Sequence, residues 1–288
     1  AAHGCMIAPA LMFLGINASH PDIREGWGIQ TATDIAFALG ILALLGSRVP
    51  PVLKVFLMAL AVIDDLGAIV IIAIFYSSHI AWGAMALVVA AVAVLALMNR
   101  AKVSSRLPYL LVGAVLWVAV LLSGIHATIA GVVLGLMMPV KGLSETAAAP
   151  RLTHSLEPWV RWLVLPLFAF ANAGVVVGDI SLTQPFSSLP SGIIAGLLIG
   201  KPLGITVACW LSLRLGLTRL PENTGVRAIA AIGVLCGIGF TMSIFIASLA
   251  YGQEAASLVN EAKLGILGGS VLSAVAGYLL LRRRYTLP

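Results

Sequence analysis

Four charged residues lie inside long apolar stretches of the sequence, where charge is energetically costly. They are Asp34, Asp64, Asp65 and Lys201. Even a lenient insertion scale assigns each such group about 2.5–3.5 kcal/mol at the centre of a lipid bilayer. A buried ion pair that only joins two helices explains Lys201 and one carboxylate, but it leaves the other two carboxylates unexplained. The set therefore predicts an intramembrane functional site.

Asp64 and Asp65 are adjacent in the sequence. On a helix their side chains point about 100° apart. They cannot face one another across a single water molecule, as the two carboxylates of an aspartyl protease do. One carboxylate can face a cavity while the other faces a neighbouring helix, which favours ion or proton binding over peptide hydrolysis.

Two apolar stretches contain polar residues or glycines near their middle. Thr33 and Asp34 interrupt the first, and Gly237, Gly239 and Thr241 interrupt the second. Each interruption lies in the middle helix of a predicted three-helix group, with one group near each end of the chain. Interrupted helices in corresponding positions indicate inverted repeats around an ion site at the membrane midplane.

A pair of interrupted helices exposes two N-terminal and two C-terminal helix ends, which carry opposite partial charges. Asp34 could neutralise the N-terminal ends and Lys201 the C-terminal ends. The hydroxyl of Thr33 and the freed carbonyl groups are hard oxygen ligands, which suit a hard cation such as Na+.

The elements that must position these residues are membrane helices. The chain has 288 residues, of which 60% are hydrophobic and 10% are charged, whereas soluble domains have about 25% charged residues. The net charge of +6 does not indicate a nucleic-acid partner, because the basic residues lie in short loops between apolar stretches. Cys5, Cys209 and Cys236 form neither a metal-binding spacing nor a disulfide framework, and we interpret them as packing residues.

Long apolar runs favour helices, because about 20 such residues cross the hydrocarbon layer. Ten helix cores are predicted, and we assign them to one membrane domain, 1–288. Three-helix repeats lie near 1–76 and 192–284, and linking helices occupy 80–177. The predicted cores are 4–16, 28–45, 52–76, 80–97, 109–122, 124–138, 159–177, 192–211, 228–251 and 264–281.

Basic residues are strongly biased to alternate loops, which predicts that these loops and the C-terminus are cytoplasmic. The opposite loops hold Arg24 and Lys263 only. Both flanks of the run 109–138 are basic and are therefore assigned to the cytoplasm, so the run must cross the membrane an even number of times. We predict two short helices, with His126 near their turn. The residues assigned to the cytoplasmic side are Arg48, Lys54, Arg100, Lys102, Arg106, Lys141, Arg151, Arg161, Arg214, Arg219, Arg227, Arg282, Arg283 and Arg284.

Several longer motifs cover the chain from end to end and resemble the bacterial NhaA family of sodium–proton antiporters. The most specific are TATDIAFALGILALLGSRVP and LKVFLMALAVIDDLGAI. The others are GIHATIAGV, LPLFAFANAGV, GLLIGKPLGI and GIGFTMSIFIASLAY.

The resemblance implies a twelve-helix fold. The chain opens on an apolar run without an initiator Met, so we expect helices three to twelve to be present here. The resemblance also implies that Asp64 and Asp65 carry the ions. It implies that Thr33 and Asp34 lie at the crossing of the interrupted helices and that Lys201 pairs with Asp64. His126 matches a family histidine linked to pH response.

The implied function is exchange of Na+ or Li+ for H+ by alternating access in the bacterial inner membrane, which controls cytoplasmic pH and sodium. No enzymatic activity and no cofactor are expected. The expected partners are the transported ions and membrane lipid, together with a second copy in a homodimer.

One segment departs from the family pattern. Where the best-known member has Glu, His and His, this chain has Thr153, His154 and Glu157. Only one position matches in kind, so a pH-sensing role for His154 competes with a solvated helix start.

Three alternatives remain open on the sequence. A transporter of the same architecture for another cation or substrate would differ in an ion-substitution assay. An intramembrane enzyme is disfavoured by the aspartate spacing and by the lack of a nucleophile or metal constellation. A retinal-type protein with a Schiff base on Lys201 would have about seven spans and would absorb visible light with its chromophore.

Overall fold

The computed structural model describes residues 1–76, 81–140, 148–174, 187–217, 224–252 and 255–285. Within these ranges every regular element is helical. The prediction of an all-α fold is therefore confirmed for the described residues. The predicted inverted repeats and the grouping 1–76, 80–177 and 192–284 stay predictions.

Fourteen α-helices occur in the described ranges. They are α1 (Ala2–Ile16), α2 (Pro21–Arg24), α3 (Ile35–Leu44), α4 (Pro51–Phe75), α5 (Trp82–Arg100), α6 (Arg106–Leu122), α7 (Thr128–Met137), α8 (Ala148–Trp159), α9 (Leu165–Asn172), α10 (Ser188–Ala195), α11 (Lys201–Arg214), α12 (Val226–Cys236), α13 (Phe240–Tyr251) and α14 (Ala256–Arg284). Short 3-10 helices cover Glu25–Thr31 and Gly46–Arg48, and π-helical turns cover Val160–Val164 and Gly196–Gly200.

By length and composition, four helices of the described residues can cross a membrane. They are α4, α5, α14 and the continuous helix Ser188–Arg214, which consists of α10, the π-turn and α11. Two further crossings result if each of two bent helix pairs counts as one span. Three shorter apolar helices, α1, α6 and α7, complete this set. Two of the ten predicted spans, 80–97 and 159–177, extend beyond the described residues, at residue 80 and at residues 175–177.

The two predicted interruptions coincide with sharp bends. The segment Pro21–Thr31 meets α3 at 50°, and α12 meets α13 at 53°. Residues 32–34 and 237–239 form the two breaks. Each break leaves backbone N–H and C=O groups without partners inside their own helix. Other groups must satisfy them, and this requirement determines much of the site described below.

Proline explains where the two π-turns occur. Pro166 follows Val160–Val164 and Pro202 follows Gly196–Gly200 by two residues each. A proline ring clashes with the carbonyl four residues earlier and cannot donate a hydrogen bond to it. A locally widened turn is one way to accommodate this loss. The second π-turn ends immediately before Lys201 and so contributes to the direction of its side chain.

The chain divides into two compact units, one made of residues 1–68 and 171–288 and the other of residues 69–170. The first unit has a core of buried apolar residues that includes Leu42, Leu57 and Leu235. The second unit has its own core, which includes Leu95 and Leu116.

Within the first unit, α1 lies directly against the helix Ser188–Arg214. Glycines on both helices permit the close approach. A Cβ atom at Gly200 would meet Cα of Pro9 at 2.7 Å, and one at Gly204 would collide with the carbonyl oxygen of Gly4. Glycine at these positions therefore allows backbone-to-backbone packing, as in other membrane helix pairs.

The predicted division of the run 109–138 is confirmed. Helix α6 ends at Leu122 and α7 begins at Thr128. Gly124 lies in the turn between them with φ of +83°, a value that favours glycine because it has no Cβ.

Of the described basic residues assigned to loops, all except Lys102 lie in helical elements instead. Lys263 belongs to α14, which begins at Ala256, and Lys54 belongs to the first turn of α4, which begins at Pro51. Hydropathy detects the apolar core of a membrane helix, but the helix continues into the interfacial region. Proline also fits the first position of a helix, where its missing N–H is not needed. Lys141 and Arg219 lie outside the described residues.

Candidate functional site

Asp34 lies between the N-termini of two half-helices. It is the N-cap residue of α3, where its Oδ1 accepts a hydrogen bond from the backbone N–H of Phe37 at 3.2 Å. Its Oδ2 accepts bonds from the backbone N–H of Thr241 at 3.2 Å and from the Thr241 hydroxyl at 2.5 Å. Thr241 lies in the first turn of α13. A single buried carboxylate thus faces the positive ends of two helices.

Lys201 occupies the opposite position, at the C-terminal ends of the other two half-helices. Its side chain is fully buried. Nζ donates to the carbonyl oxygens of Ala32, at 2.5 Å, and Cys236, at 3.1 Å. These carbonyls belong to the C-cap residue of Glu25–Thr31 and to the last residue of α12. The ammonium group therefore satisfies carbonyls that the two breaks leave without partners.

Lys201 also joins this crossing to α4. Nζ lies 3.3 Å from Oδ2 of Asp64 and 2.7 Å from Oγ1 of Thr33. The Thr33 hydroxyl lies 2.7 Å from the same Asp64 oxygen and 3.0 Å from the carbonyl of Cys236. Thr33, Asp64 and Lys201 are all fully buried. They form one hydrogen-bonded cluster.

The two adjacent aspartates differ in their surroundings. Asp64 is fully buried, whereas Asp65 is half-buried. Asp65 interacts electrostatically with Asp64, Lys201 and Asp34. Oδ1 of Asp64 and Oδ1 of Asp65 are both buried without a hydrogen-bond partner among the described residues. Buried carboxylate oxygens normally have partners, so these two atoms are the candidate positions for a cation or a proton.

The sequence matches the model of the family described as Na+/H+ antiporter 1 over residues 1–281. The chain belongs to this family. A relative from Salmonella typhimurium (strain LT2), named Na(+)/H(+) antiporter NhaA, is 60% identical over 288 residues, which are 100% of this chain and 74% of the relative. A relative of the same name from Citrobacter koseri is 60% identical over 284 residues, which are 99% of this chain and 73% of the relative. Na(+)/H(+) antiporter NhaA 1 of Klebsiella pneumoniae is 59% identical over 286 residues, which are 99% and 72% of the two chains.

Membership of an antiporter family identifies the chain as a multi-helix membrane transporter rather than an enzyme. In the described part of the chain, no group of three or more His, Cys, Asp and Glu residues is arranged to bind a metal ion. A transported cation at Asp64 and Asp65 would therefore need additional ligands from hydroxyl groups, carbonyl groups or water. Thr33 is the nearest hydroxyl, but it is engaged by Lys201 and Asp64 in this conformation.

The two histidines with a predicted role in pH response, His126 and His154, lie in the unit formed by residues 69–170. Nε2 of His126 lies 2.9 Å from the carbonyl oxygen of Tyr76, so the ring joins the α6–α7 turn to the end of α4. His154 is exposed on α8. On the same helix, Glu157 pairs with Arg161 at 2.6 Å, and both side chains are exposed. A role for either histidine in pH response stays a prediction.

Two residues of the site were not singled out from the sequence. Ser270 on α14 accepts hydrogen bonds from the backbone N–H groups of Gly239, at 3.2 Å, and Phe240, at 3.1 Å. Cys5 on α1, interpreted only as a packing residue, lies with Sγ 3.4 Å from Oδ2 of Asp64. Serine and cysteine are common in membrane helices, so neither residue stands out by type or spacing.

Proposed function

We propose that this protein exchanges Na+ for H+ across a membrane and that Asp64 and Asp65 carry both ions in turn. The proposal is supported by the family membership and by the names of the relatives. The observation that carries the residue assignment is a pair of buried carboxylate oxygens on one membrane-crossing helix that have no hydrogen-bond partner among the described residues.

Competition for the same carboxylates couples the two ions. An ionised carboxylate is a good ligand for Na+, and a protonated one is a poor ligand. An empty ionised site in an apolar barrier is costly, so the site holds either a proton or a cation when it changes sides. This occupancy suppresses leakage and makes the exchange obligatory.

Lys201 provides the balancing charge while Na+ is absent. In the cluster described above, Lys201 and Thr33 both bond to Oδ2 of Asp64. Binding of Na+ to Asp64 would weaken the bond to Lys201, because both cations compete for one carboxylate. Release of Lys201 would also free the Thr33 hydroxyl to act as a third oxygen ligand.

The two bent helices support alternating access by inverted repeats. Asp34 neutralises one pair of half-helix ends and Lys201 the other, so the crossing is electrically balanced inside the apolar layer. Small movements of the half-helices would then open the site to one side or the other while the charges remain paired.

The setting that we propose is the bacterial inner membrane, with the basic C-terminal turn of α14 in the cytoplasm. Arg282, Arg283 and Arg284 lie in that turn, and the bias of basic residues supports this orientation. Li+ would be carried as well as Na+, because both are small hard cations. The exchange itself regulates cytoplasmic pH and sodium without a bound cofactor, and a homodimer in contact with lipid is the expected assembly.

Vesicles that contain the reconstituted protein and an imposed pH gradient test the proposal. Addition of Na+ or Li+ should collapse the gradient, whereas K+ or choline should not. Asp65→Asn should abolish the response, while Asp22→Asn, which changes an exposed carboxylate of α2, should leave it unchanged. Collapse by K+ alone would favour a transporter for a different cation, and no cation-dependent collapse would refute the exchange.

A further inference from the structure

The exchange proposed above assigns no role to Cys5, the cysteine next to the ion site. Cys5 is fully buried on α1. Its Sγ lies 3.4 Å from Oδ2 of Asp64, which is 59 residues away in the sequence. This distance fits a hydrogen bond in which the thiol donates to the carboxylate.

Three donors converge on one oxygen of Asp64. They are Nζ of Lys201 at 3.3 Å, Oγ1 of Thr33 at 2.7 Å and Sγ of Cys5 at 3.4 Å. The other oxygen, Oδ1, has no partner among the described residues. An ammonium group alone can bond to either oxygen of a carboxylate or to both. Donors from two helices and one helix break restrict rotation of the carboxylate and keep the two oxygens distinct.

The neighbours of Cys5 fix its position from two sides. A Cβ atom at Gly4 would collide with the carbonyl oxygen of Gly204, so the backbone before Cys5 lies against α11. A Cβ atom at Gly67 would meet the sulfur and methyl group of Met6 at 2.5 Å, so the side chain after Cys5 lies against α4. Cys5 is thus held between the helix that carries Lys201 and the helix that carries Asp64.

We propose that Cys5 is a positioning residue of the ion site. Its thiol shares Oδ2 of Asp64 with Lys201 and Thr33, and it thereby keeps Oδ1 directed toward the transported cation. Without the thiol, the carboxylate can turn and offer both oxygens to Lys201, and Na+ must then displace the lysine from both. This inference rests on the proposed exchange, because it assigns Oδ1 of Asp64 to the cation.

Transport kinetics provide the first test. In proteoliposomes, Cys5→Ala should raise the apparent KM for Na+ about three- to tenfold, the ratio expected for loss of one hydrogen bond, with little change in the maximal rate. Cys5→Ser should stay within about twofold of the wild type, because a hydroxyl also donates a hydrogen bond. Cys209→Ala is the matched control. It removes a half-buried thiol from α11 that makes no hydrogen bond to Asp64 in the described part of the chain, and the KM should be unchanged.

Infrared spectroscopy of the S–H stretching band provides a test that does not depend on transport. The band that is lost in Cys5→Ala should move to higher frequency in Asp64→Asn, because a neutral amide accepts a weaker hydrogen bond than a carboxylate does. Saturating Na+ should shift the same band in the wild-type protein in the same direction.

The outcomes separate this inference from the proposed function. Absence of any Na+-dependent exchange in the wild type would refute both. Normal exchange, with the same KM in Cys5→Ala and a Cys5 band that Asp64→Asn does not move, would refute the positioning role alone and leave Cys5 as a packing residue.

Discussion

Lys201 makes four polar contacts with described residues, and the ion pair with Asp64 is the longest of them. The contacts to Ala32 O, Thr33 Oγ1 and Cys236 O are 2.5, 2.7 and 3.1 Å, against 3.3 Å to Asp64 Oδ2. Lysine at this position therefore serves the helix breaks at least as much as it serves the carboxylate. Loss of the ammonium group would remove one donor from two carbonyls and leave the buried Asp64 carboxylate without its counter-charge.

We predict that Lys201→Ala lowers both thermal stability and transport. Removal of one partner of a buried pair costs about 3–5 kcal/mol, because the other charge stays buried. Lys201→Arg should retain more stability, since the charge remains. Lys54→Ala, at the start of α4, is the control and should unfold like the wild type. The measurement is the unfolding temperature in detergent, and equal temperatures for Lys201→Ala and the wild type would contradict the role.

Asp34 and Asp65 should differ in how strongly their loss affects transport. Asp34 accepts bonds from Phe37 and Thr241 and serves mainly to balance the helix ends, so Asp34→Asn should weaken exchange without abolishing it. Asp65→Asn should abolish exchange, because the variant cannot alternate between a proton and a cation. Initial rates at saturating Na+ measure the order. A more severe defect in Asp34→Asn than in Asp65→Asn would reverse the assigned roles.

Sequence analysis recognises the site residues whose types are rare in membrane helices. Asp34, Asp64, Asp65 and Lys201 stand out because each charge in an apolar stretch needs a reason. Cys5 and Ser270 do not stand out, since small weakly polar residues occur throughout membrane helices. The backbone carbonyls of the breaks are also invisible in the sequence, because every residue has one. Only the folded geometry shows which of them face Lys201.

At the scale of the elements, Ser270 connects α14 to the break before α13. Its hydroxyl accepts bonds from the N–H groups of Gly239 and Phe240, and Asp34 accepts from the next N–H, of Thr241. The first three donors of the half-helix are therefore satisfied by side chains from two other elements. These bonds replace the side-chain cap of α13, because the N-cap residue Gly239 has no side chain that could accept a hydrogen bond.

We predict that Ser270→Ala destabilises the protein by about 1–3 kcal/mol, the cost of leaving buried donors unpaired, and reduces transport. Ser273→Ala is a closely matched control. Ser273 lies on the same helix and is fully buried, but its hydroxyl has no partner in the described part of the chain. Thermal unfolding of both variants measures the difference. Equal destabilisation by the two substitutions would mean that Ser270 acts through packing rather than through its hydrogen bonds.

Close packing of α1 on α11 also belongs to this scale. We predict that Gly204→Ala lowers stability and transport, because the added Cβ would collide with the carbonyl oxygen of Gly4 and separate the two helices. A Cβ atom at Gly15 of α1 would meet no atom of the described residues within 4 Å. Gly15→Ala should therefore be neutral or slightly stabilising, as alanine is the better helix former. Unfolding temperature and initial transport rate should change together in Gly204→Ala. An unchanged Gly204→Ala protein would show that the helices can separate without consequence.

At the scale of the whole molecule, the sequence predicts which segments are helical better than where the helices end. Core positions of α4 and of α12 with α13 agree with the apolar stretches to within a few residues. Helix α14 begins at Ala256 rather than near residue 264, because its first turns are amphipathic and hydropathy does not detect them. The π-turns also escape prediction, since a proline in a helix can produce a kink, a break or a widened turn.

The coupling of Na+ to H+ is a property of the whole transporter and has a quantitative signature. If both ions compete for the carboxylates, the apparent affinity for Na+ should fall about tenfold per pH unit for each proton displaced, wherever the empty site is protonated. At higher pH the empty site is ionised, and the affinity should become independent of pH. Binding of Na+ to the purified protein from about pH 6 to about pH 9 measures this dependence around neutrality.

Asp65→Asn should remove most of that pH dependence, because the carboxylate that exchanges the proton is gone, whereas Asp22→Asn should keep it. A flat affinity in the wild type, together with transport that still switches with pH, would mean that a group outside the carboxylate pair controls activity. His126 would then be the first residue to test, because its ring nitrogen bonds to the carbonyl of Tyr76 next to the end of α4. A sloped affinity that disappears in Asp65→Asn would instead locate both coupling and pH control at the carboxylate pair.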